Sequence, residues 1–352
     1  MLSSKANLLA RLSAAKPSFV TRHVEMARAQ QLAEPVDLTA GDIVLARVSR
    51  VRQHTRVELP SGRRAHLFEG DELILAAGRR YATDQFVAEL PKLGHAHLVA
   101  AGGIAAQVID RHGSVKPATE IEIVAALADQ DGRVMNLRQF APLLNCKPAQ
   151  RIGRIPRSLL VIGTGMNSGK TTMVTAATRA LKQAGQKVMA CKLTGTGSGN
   201  DLWQYQDAGA DLVYDFTDAG LCGTWQETPQ ALLSIARCFR QAASEASMDY
   251  LIVELADGLL QTETMDLIQS DSFRALFDGC LVAATCSVGA VYAARTLSSL
   301  KVPVLAIGGC VSQSPLYQRE IRAQTGLPVL SDSDLARFNV LNSHLGMLGV
   351  AA

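Results

Sequence analysis

The sequence predicts a two-part α/β protein: a doubly wound, mostly parallel sheet in the C-terminal half, preceded by a smaller antiparallel β-barrel or sandwich. Three observations predict it. Between Gly41 and Leu137 apolar and polar residues alternate with period two, broken by turn-forming runs such as "PSGR", "EGDE" and "DQDGR". Beyond Ser158 the pattern becomes strand then helix, repeatedly, and the strands are continuous apolar runs, as in a parallel sheet covered on both faces. The chain has 352 residues, 48% hydrophobic and 19% charged, which suits two domains with a sizeable core.

In chain order the expected parts are an N-terminal helical segment over 1–40, a small β-rich domain over 41–144, a linker over 145–158, the α/β domain over 159–340 and a tail over 341–352. The first stretch, "MLSSKANLLARLSAAKPSFVTRH", has no acid before Glu25, a composition shared with organellar transit peptides. It is read here as a surface helix followed by a second over Val20–Leu32. "GDIVLARVSRV", "TRVELPSGRRAHLF", "GDELILAAG", "FVAELP" and "EIEIVAALADQDGRVMNL" read as short strands. "KLGHAHLVAAGGIAAQVIDRHG" departs from that rhythm; its Gly102–Gly103 pair is either a bulge or a place where the backbone approaches a ligand. "NCKPAQRIGRIPRS" is a basic, proline-bearing connector. After it, strands are expected at 159–163, 187–193, 211–216, 249–255, 279–285, 303–308 and 327–330, with helices at 170–184, 201–209, 228–246, 288–300 and 315–325.

Composition excludes several function classes. The net charge of +3 is small and the basic residues are scattered without interleaved aromatics, so no nucleic-acid partner is expected. The apolar stretch Ala275–Ala294 is broken by Asp278 and by glycines, so no membrane span is expected. Seven cysteines form no C-x-x-C pair, and most sit in apolar runs such as "DGCLVAATC". Reduced, buried thiols and a cytoplasmic location follow. No histidine stands in a motif.

The chemistry concentrates in "VIGTGMNSGKTTMVTAATRA", residues 161–180. A greasy strand enters a turn made of Gly163, Thr164, Gly165, Met166, Asn167, Ser168 and Gly169, and Lys170, Thr171 and Thr172 open a helix. Backbone N–H groups in such a turn, backed by a helix N-terminus, form a site for a di- or triphosphate. Lys170 would reach the outer phosphates, and Thr171 or Thr172 would place a hydroxyl on Mg²⁺. The usual G-x-x-x-x-G-K-[ST] spacing is off by one, because Thr164 stands where the first glycine belongs and Gly163 precedes it.

This P-loop, written G-T-x-x-x-x-G-K-T, resembles that of the dethiobiotin synthetase and cobyrinic acid a,c-diamide synthase branch of P-loop proteins. "VMACKLTGTG" (188–197) looks like that branch's second strand, which ends in a lysine and a substrate-contacting loop. "DYLIVELADGLL" (249–260) is similar to its D-x-x-x-V-E-G-x-x-G-L strand. "VPVLAIGGCV", followed by "TGLPVL", looks like its last two strands. "KLTGTGSGNDLWQYQDAGADLVYDFTDAGLCGT" resembles still more closely a P-loop family some of whose members are called D-glutamate N-acetyltransferase-like, and whose N-terminal domain is different. The resemblance covers roughly residues 158–335, and residues 1–150 carry no motif of either family. Two departures matter. Leu255, Ala256 and Asp257 follow Glu254 where the branch has glycine, and Ser312 and Gln313 occupy the stretch where it often has Asn to read the base, which leaves the nucleotide open.

Roles follow from position at the C-terminal edge of the sheet, where the loops of open α/β folds converge. Glu254 ends the apolar strand "LIVE" and would hold Mg²⁺ directly or through water, as the resemblance also implies. Lys192 would neutralise charge on a phosphoryl group or a substrate carboxylate. The run Thr194, Gly195, Thr196, Gly197, Ser198 offers N–H and O–H donors for a second anion. Asp201 reads equally as a helix N-cap or as a metal or substrate residue, and Asp257 as a second carboxylate or a turn former. Asp218, in "DFTDAGLCGTW", is the candidate for gripping a substrate amine or acting as base, against a turn-stabilising role.

Three function classes fit these residues. The first is an enzyme using ATP and Mg²⁺ to activate a small carboxylic or amino acid, as a ligase or a phosphotransferase. The second is an N-acyltransferase whose cradle holds the phosphates of CoA or acetyl-CoA. The third is a non-catalytic nucleotide switch or cofactor-delivery protein. Resemblance to the synthetase branch also implies a homo-oligomer.

Overall fold

The computed structural model describes residues 2–144 and 154–346. The expected linker lies largely outside them, and so does the tail from 347 onward. The chain divides into two compact units: Met1–Cys146 with Thr196–Asn200 and Phe216–Gln226, and Lys147–Gly195 with Asp201–Asp215 and Glu227–Ala352.

In the first unit a helix runs over Leu2–Ala14. The second N-terminal helix expected over Val20–Leu32 does not form. Two 3₁₀ turns, Phe19–Thr21 and Met26–Arg28, and a strand, Gln31–Ala33, take its place. Tertiary contacts override the local pattern here. Ser18 and Thr21 close a capping box, and the Val20 N–H donates to the Gly102 carbonyl at 3.0 Å. The main sheet pairs Ile43–Arg50 with both Glu72–Ala77 and Thr119–Ala128, then Thr119–Ala128 with Gly94–Ala100, and Gly94–Ala100 with Ile104–Arg111. Ile104–Arg111 pairs back to Glu72–Ala77, so the pairing returns on itself. That last pairing is parallel, as is Lys16–Pro17 with Leu73–Ile74, so the sheet is mixed where an antiparallel one was expected.

The Gly102–Gly103 pair marks close approach of the chain to itself. A Cβ on Gly102 would sit 2.0 Å from the Gly197 carbonyl oxygen, and one on Gly103 2.1 Å from the Ser18 Cβ. Inward residues such as Val44, Ala46, Leu73, Leu75, Leu98, Ile121 and Ile123 form this unit's core, as the period-two pattern requires.

The second unit holds six parallel strands: β1 Arg157–Gly163, β2 Val188–Lys192, β3 Leu212–Asp215, β4 Tyr250–Leu255, β5 Gly279–Ala283 and β6 Val304–Gly308. Their order is β3-β2-β4-β1-β5-β6. The helices of eight residues or more are α1 Lys170–Gln183, α2 Asn200–Asp207, α3 Pro229–Glu245, α4 Thr262–Gln269, α5 Ser287–Ser299, α6 Pro315–Thr325 and α7 Phe338–Gly346. The expected strand at 327–330 reduces to one bridge, Ile307 to Val329, because Pro328 has no N–H to give a ladder. Strand residues Leu159, Val161, Ala190 and Ile252 pack with Met173, Val174, Ala177 and Leu181 of α1 in one core.

From β1 the chain runs outward to β2 and β3, returns to β4, then crosses to β5 and β6, so the winding reverses at β1 and β4. Register aligns Val161, Glu254, Lys192 and Asp215 in a single row across β1, β4, β2 and β3. Because neighbours in such a row share a face, the two acids and the lysine are brought together at the carboxyl edge, beside the turn that follows β1.

Candidate functional site

The turn from Gly163 to Gly169 joins β1 to α1 and has the geometry of a phosphate cradle. Gly169 adopts φ 99° as the residue before the helix, and Asn167 adopts φ 57°. Displacement of the first glycine to position 163 has a steric reason. A Cβ on Gly163 would lie 2.4 Å from the Ser168 hydroxyl and 2.9 Å from Cδ of Lys170, so its absence makes room for both. Gly165 faces open space, with nothing within 4 Å of where its Cβ would be. The turn is backed by the loop after β6: the Cys310 amide donates to the Ser168 carbonyl at 3.1 Å, and a Cβ on Gly169 would come within 2.8 Å of Gly309 Cα.

Two hydroxyls in this turn, Thr164 Oγ1 and Ser168 Oγ, are buried and have no hydrogen-bond partner. A buried hydroxyl without a partner calls for an explanation, and an anion held in this turn would supply one. Lys170 is buried too, and its Nζ donates to the carbonyls of Gly165 at 2.8 Å and Asp257 at 2.5 Å. Burial holds its ammonium below the ordinary lysine value, with Glu254 and Asp257 opposing that shift. A lysine clamped to two neutral carbonyls is under-compensated, and an anion would suit it better.

Beside it lies a network of charges. Lys192 forms an ion pair with Asp201, and Thr171 Oγ1 donates to the other Asp201 oxygen at 3.2 Å. Burial opposes the charge on Lys192, but Asp201 and Glu254 outweigh it and hold the ammonium above its ordinary value. Glu254, 2% exposed, accepts a 2.5 Å hydrogen bond from the Tyr205 hydroxyl. Burial, then repulsion from Asp201, raises the Glu254 carboxyl, while Lys192 and Lys170 act the other way. Burial and the same two carboxylates push the Tyr205 phenol well up. Thr194 is tied to the Ala256 carbonyl, and Gly195, at φ 127°, lies against the Lys192 side chain.

The second unit thus brings together Lys170, Thr171, Lys192, Asp201, Glu254 and Asp257, with Thr194 and Gly195 alongside. Thr172 is exposed, so Thr171 is the hydroxyl facing the acids. Asp201 acts through its carboxylate in this network. Among the described residues no three His, Cys, Asp or Glu side chains converge as a closed metal cage. Mg²⁺ in such a cradle does not need one, since it keeps waters and takes oxygens from phosphates. The Thr171 hydroxyl and the Asp201 and Glu254 carboxylates, all oxygen donors, fit that demand. Sequence reasoning missed Tyr205. Its spacing of four from Asp201 on α2, which puts both on one helix face, was the available signal.

The remaining candidates belong to the first unit. Thr196 bridges to Gly223, the Gly197 N–H donates to the Cys222 carbonyl at 2.9 Å, and Ser198 Oγ donates to buried Glu58 at 3.1 Å. Asp218 is buried and takes Arg22 at 2.6 Å and His23 at 2.7 Å on one carboxylate oxygen. Arg22 also donates to Thr217 and stacks on Phe19, 4.1 Å from the ring centre.

No protein-family model matches the sequence, and no curated protein does. Among solved structures, similar chains include the signal recognition particle 54 kDa protein from Aeropyrum pernix K1 in complex with GDP, at 19% identity and TM-score 0.38 over 60% of this chain and 53% of that one. This chain therefore spans about half the length of that protein. The signal recognition particle receptor FtsY from Elizabethkingia anophelis is 18% identical with TM-score 0.38, over 61% of this chain and 75% of that one. A LAO/AO transport system kinase is 15% identical with TM-score 0.36, over 57% and 61%. No helix among the described residues is long and apolar enough to cross a membrane. The parallel order β3-β2-β4-β1-β5-β6, with a glycine-rich turn and Lys170 between β1 and α1, makes the second unit a P-loop α/β fold.

Proposed function

We propose that the protein is an enzyme that binds ATP with Mg²⁺ at the P-loop and uses it to activate a small carboxylic or amino acid. One observation carries the reading: the buried, partnerless hydroxyls of Thr164 and Ser168 share a turn with the under-compensated ammonium of Lys170. The adjoining Thr171, Asp201 and Glu254 oxygens favour a metal-bound nucleotide over CoA.

Mg²⁺-nucleotide, when bound, supplies an electrophilic phosphoryl group and its countercharge. The chain does the positioning. Lys170, now on the Gly165 and Asp257 carbonyls, would take phosphate oxygens in their place. The Thr171 hydroxyl and the Glu254 carboxylate would hold the metal. Lys192, whose charge the carboxylates secure, offsets negative charge developing on the transferred group or holds the substrate carboxylate. Asp218 belongs to the first unit, where Arg22 and His23 engage it, and is given no role at this site.

A thermal-shift panel of ATP, GTP, CoA and acetyl-CoA, with and without Mg²⁺, tests this. A ligand at a hundred times its Kd stabilises by about 2.7 kcal/mol. ATP is expected to do so only with Mg²⁺, and Lys170→Ala to abolish the shift while leaving the unliganded melting point nearly unchanged. Stabilisation by acetyl-CoA in place of ATP overturns the reading in favour of acyl transfer.

A further inference from the structure

"GHAH", left without a role by the sequence, lies in the strand Gly94–Ala100 of the first unit. Its Ala96 and Leu98 are core residues, so His95 and His97 stand on the opposite face. Residues two apart on a strand are separated by about 6.6 Å, yet the two imidazole centres are only 5.0 Å apart, with their planes at 79°. The rings therefore lean toward each other. Two imidazoles sharing one ion at about 2.1 Å per bond have ring centres roughly 5 Å apart.

We propose that His95 and His97 form a two-imidazole chelate for a divalent transition cation of the zinc, nickel and copper class, completed by water. Imidazole nitrogen is the donor these ions favour and Mg²⁺ does not. Two features support it. Directly across on the strand Thr119–Ala128 stand Glu122, opposite His95, and Glu120, opposite His97, on the same face. They give the chelate a negative flank. Glu120 is fixed by Arg52 at 2.7 Å and Glu122 approaches Arg47 at 3.6 Å, so neither carboxylate is counted as a ligand. The Val108 N–H donates to the His97 Nδ1 at 3.5 Å, a long and weak hydrogen bond that an ion at that nitrogen would displace.

The test is calorimetric titration of untagged, full-length protein with Ni²⁺ and Zn²⁺ at pH 7.5, with Mg²⁺ in excess so that the P-loop site does not contribute. One saturable site is expected. His95→Gln and His97→Gln should each weaken it by about tenfold or more, with unchanged circular-dichroism melting. Lowering the pH to 5.5 should abolish binding, because protons compete for the imidazoles. As a second readout, Ni²⁺ should broaden the ring-proton NMR signals of these two histidines ahead of the others. No saturable binding at pH 7.5, or wild-type affinity in both variants, overturns the proposal.

Discussion

Tyr205 and Glu254 meet inside the second unit with almost no exposure to water, so the phenol is the donor that satisfies the buried carboxylate. Removing it strands a buried acid. Tyr205→Phe is expected to destabilise the protein by about 2 kcal/mol, the range for a hydrogen bond to a charged group. The readout is a lower urea midpoint with an unchanged slope. Stability equal to wild type would show that Glu254 does not depend on the phenol. His54, in the first unit, gives a residue-scale pH dependence. Its ring lies 5.8 Å from Phe86 and its Nδ1 is 3.1 Å from the Leu98 carbonyl. Desolvation, then the charge of Arg80, lowers its pKa to about 4 from 6.5. Between those values the unfolded chain takes up a proton that the folded chain refuses, so acid favours unfolding. Stability should fall by about 2–3 kcal/mol from pH 6.5 to 4 on this account and then level off. His54→Gln should remove that part of the slope in denaturant titrations run across the range.

At the scale of elements, the P-loop depends on the loop that follows β6. Gly309 has φ +76°, and a Cβ there would sit 2.1 Å from the Ser168 carbonyl oxygen. Neither can yield cheaply, because both are backbone. Gly309→Ala is expected to push the turn out of shape, destabilise the protein by more than about 1 kcal/mol, and weaken ATP stabilisation in the thermal-shift panel. Unaltered ATP response would show that the cradle does not rest on that contact. Legibility varied by element for physical reasons. The helices α1, α3 and α5 were readable because apolar residues recur along one face, and Thr228, Ser314 and Pro315 mark the starts of α3 and α6. α4 was not: its eight residues give barely two turns, and two of its buried positions, Glu263 and Thr264, are polar. Val20–Leu32 read as helix, yet there the Ser18–Thr21 box and the bond to Gly102 win.

For the whole molecule, the chain's order is not the order of its units. The first unit takes Thr196–Asn200 and Phe216–Gln226 from the C-terminal half. Those pieces supply Ser198 and the Gly199 N–H to buried Glu58, Asp218 to Arg22, and the Cys222 side chain that a Cβ on Gly78 would strike at 2.4 Å. A fragment ending at Leu144 therefore leaves Glu58 and Arg22 without these partners. It is expected to be marginally folded, with poor dispersion of amide NMR signals and binding of a hydrophobic dye, and the full chain is expected to show neither. A well-dispersed spectrum from that fragment would show these segments to be dispensable.

The sequence by itself determined the parallel α/β sheet, the β-rich half before it, and the phosphate cradle. Each of these is written in adjacent residues or in a short period: Gly163 to Thr172 are contiguous, and apolar runs and alternations repeat every few positions. Only the tertiary structure decided which side chains act together. Tyr205 and Glu254 lie 49 residues apart, and Arg22 and Asp218 lie 196 apart. It likewise decided the closed circuit of strand pairing and the lean of His95 toward His97. Pairings at such separations depend on strand order and register, and leave no periodic trace in the chain.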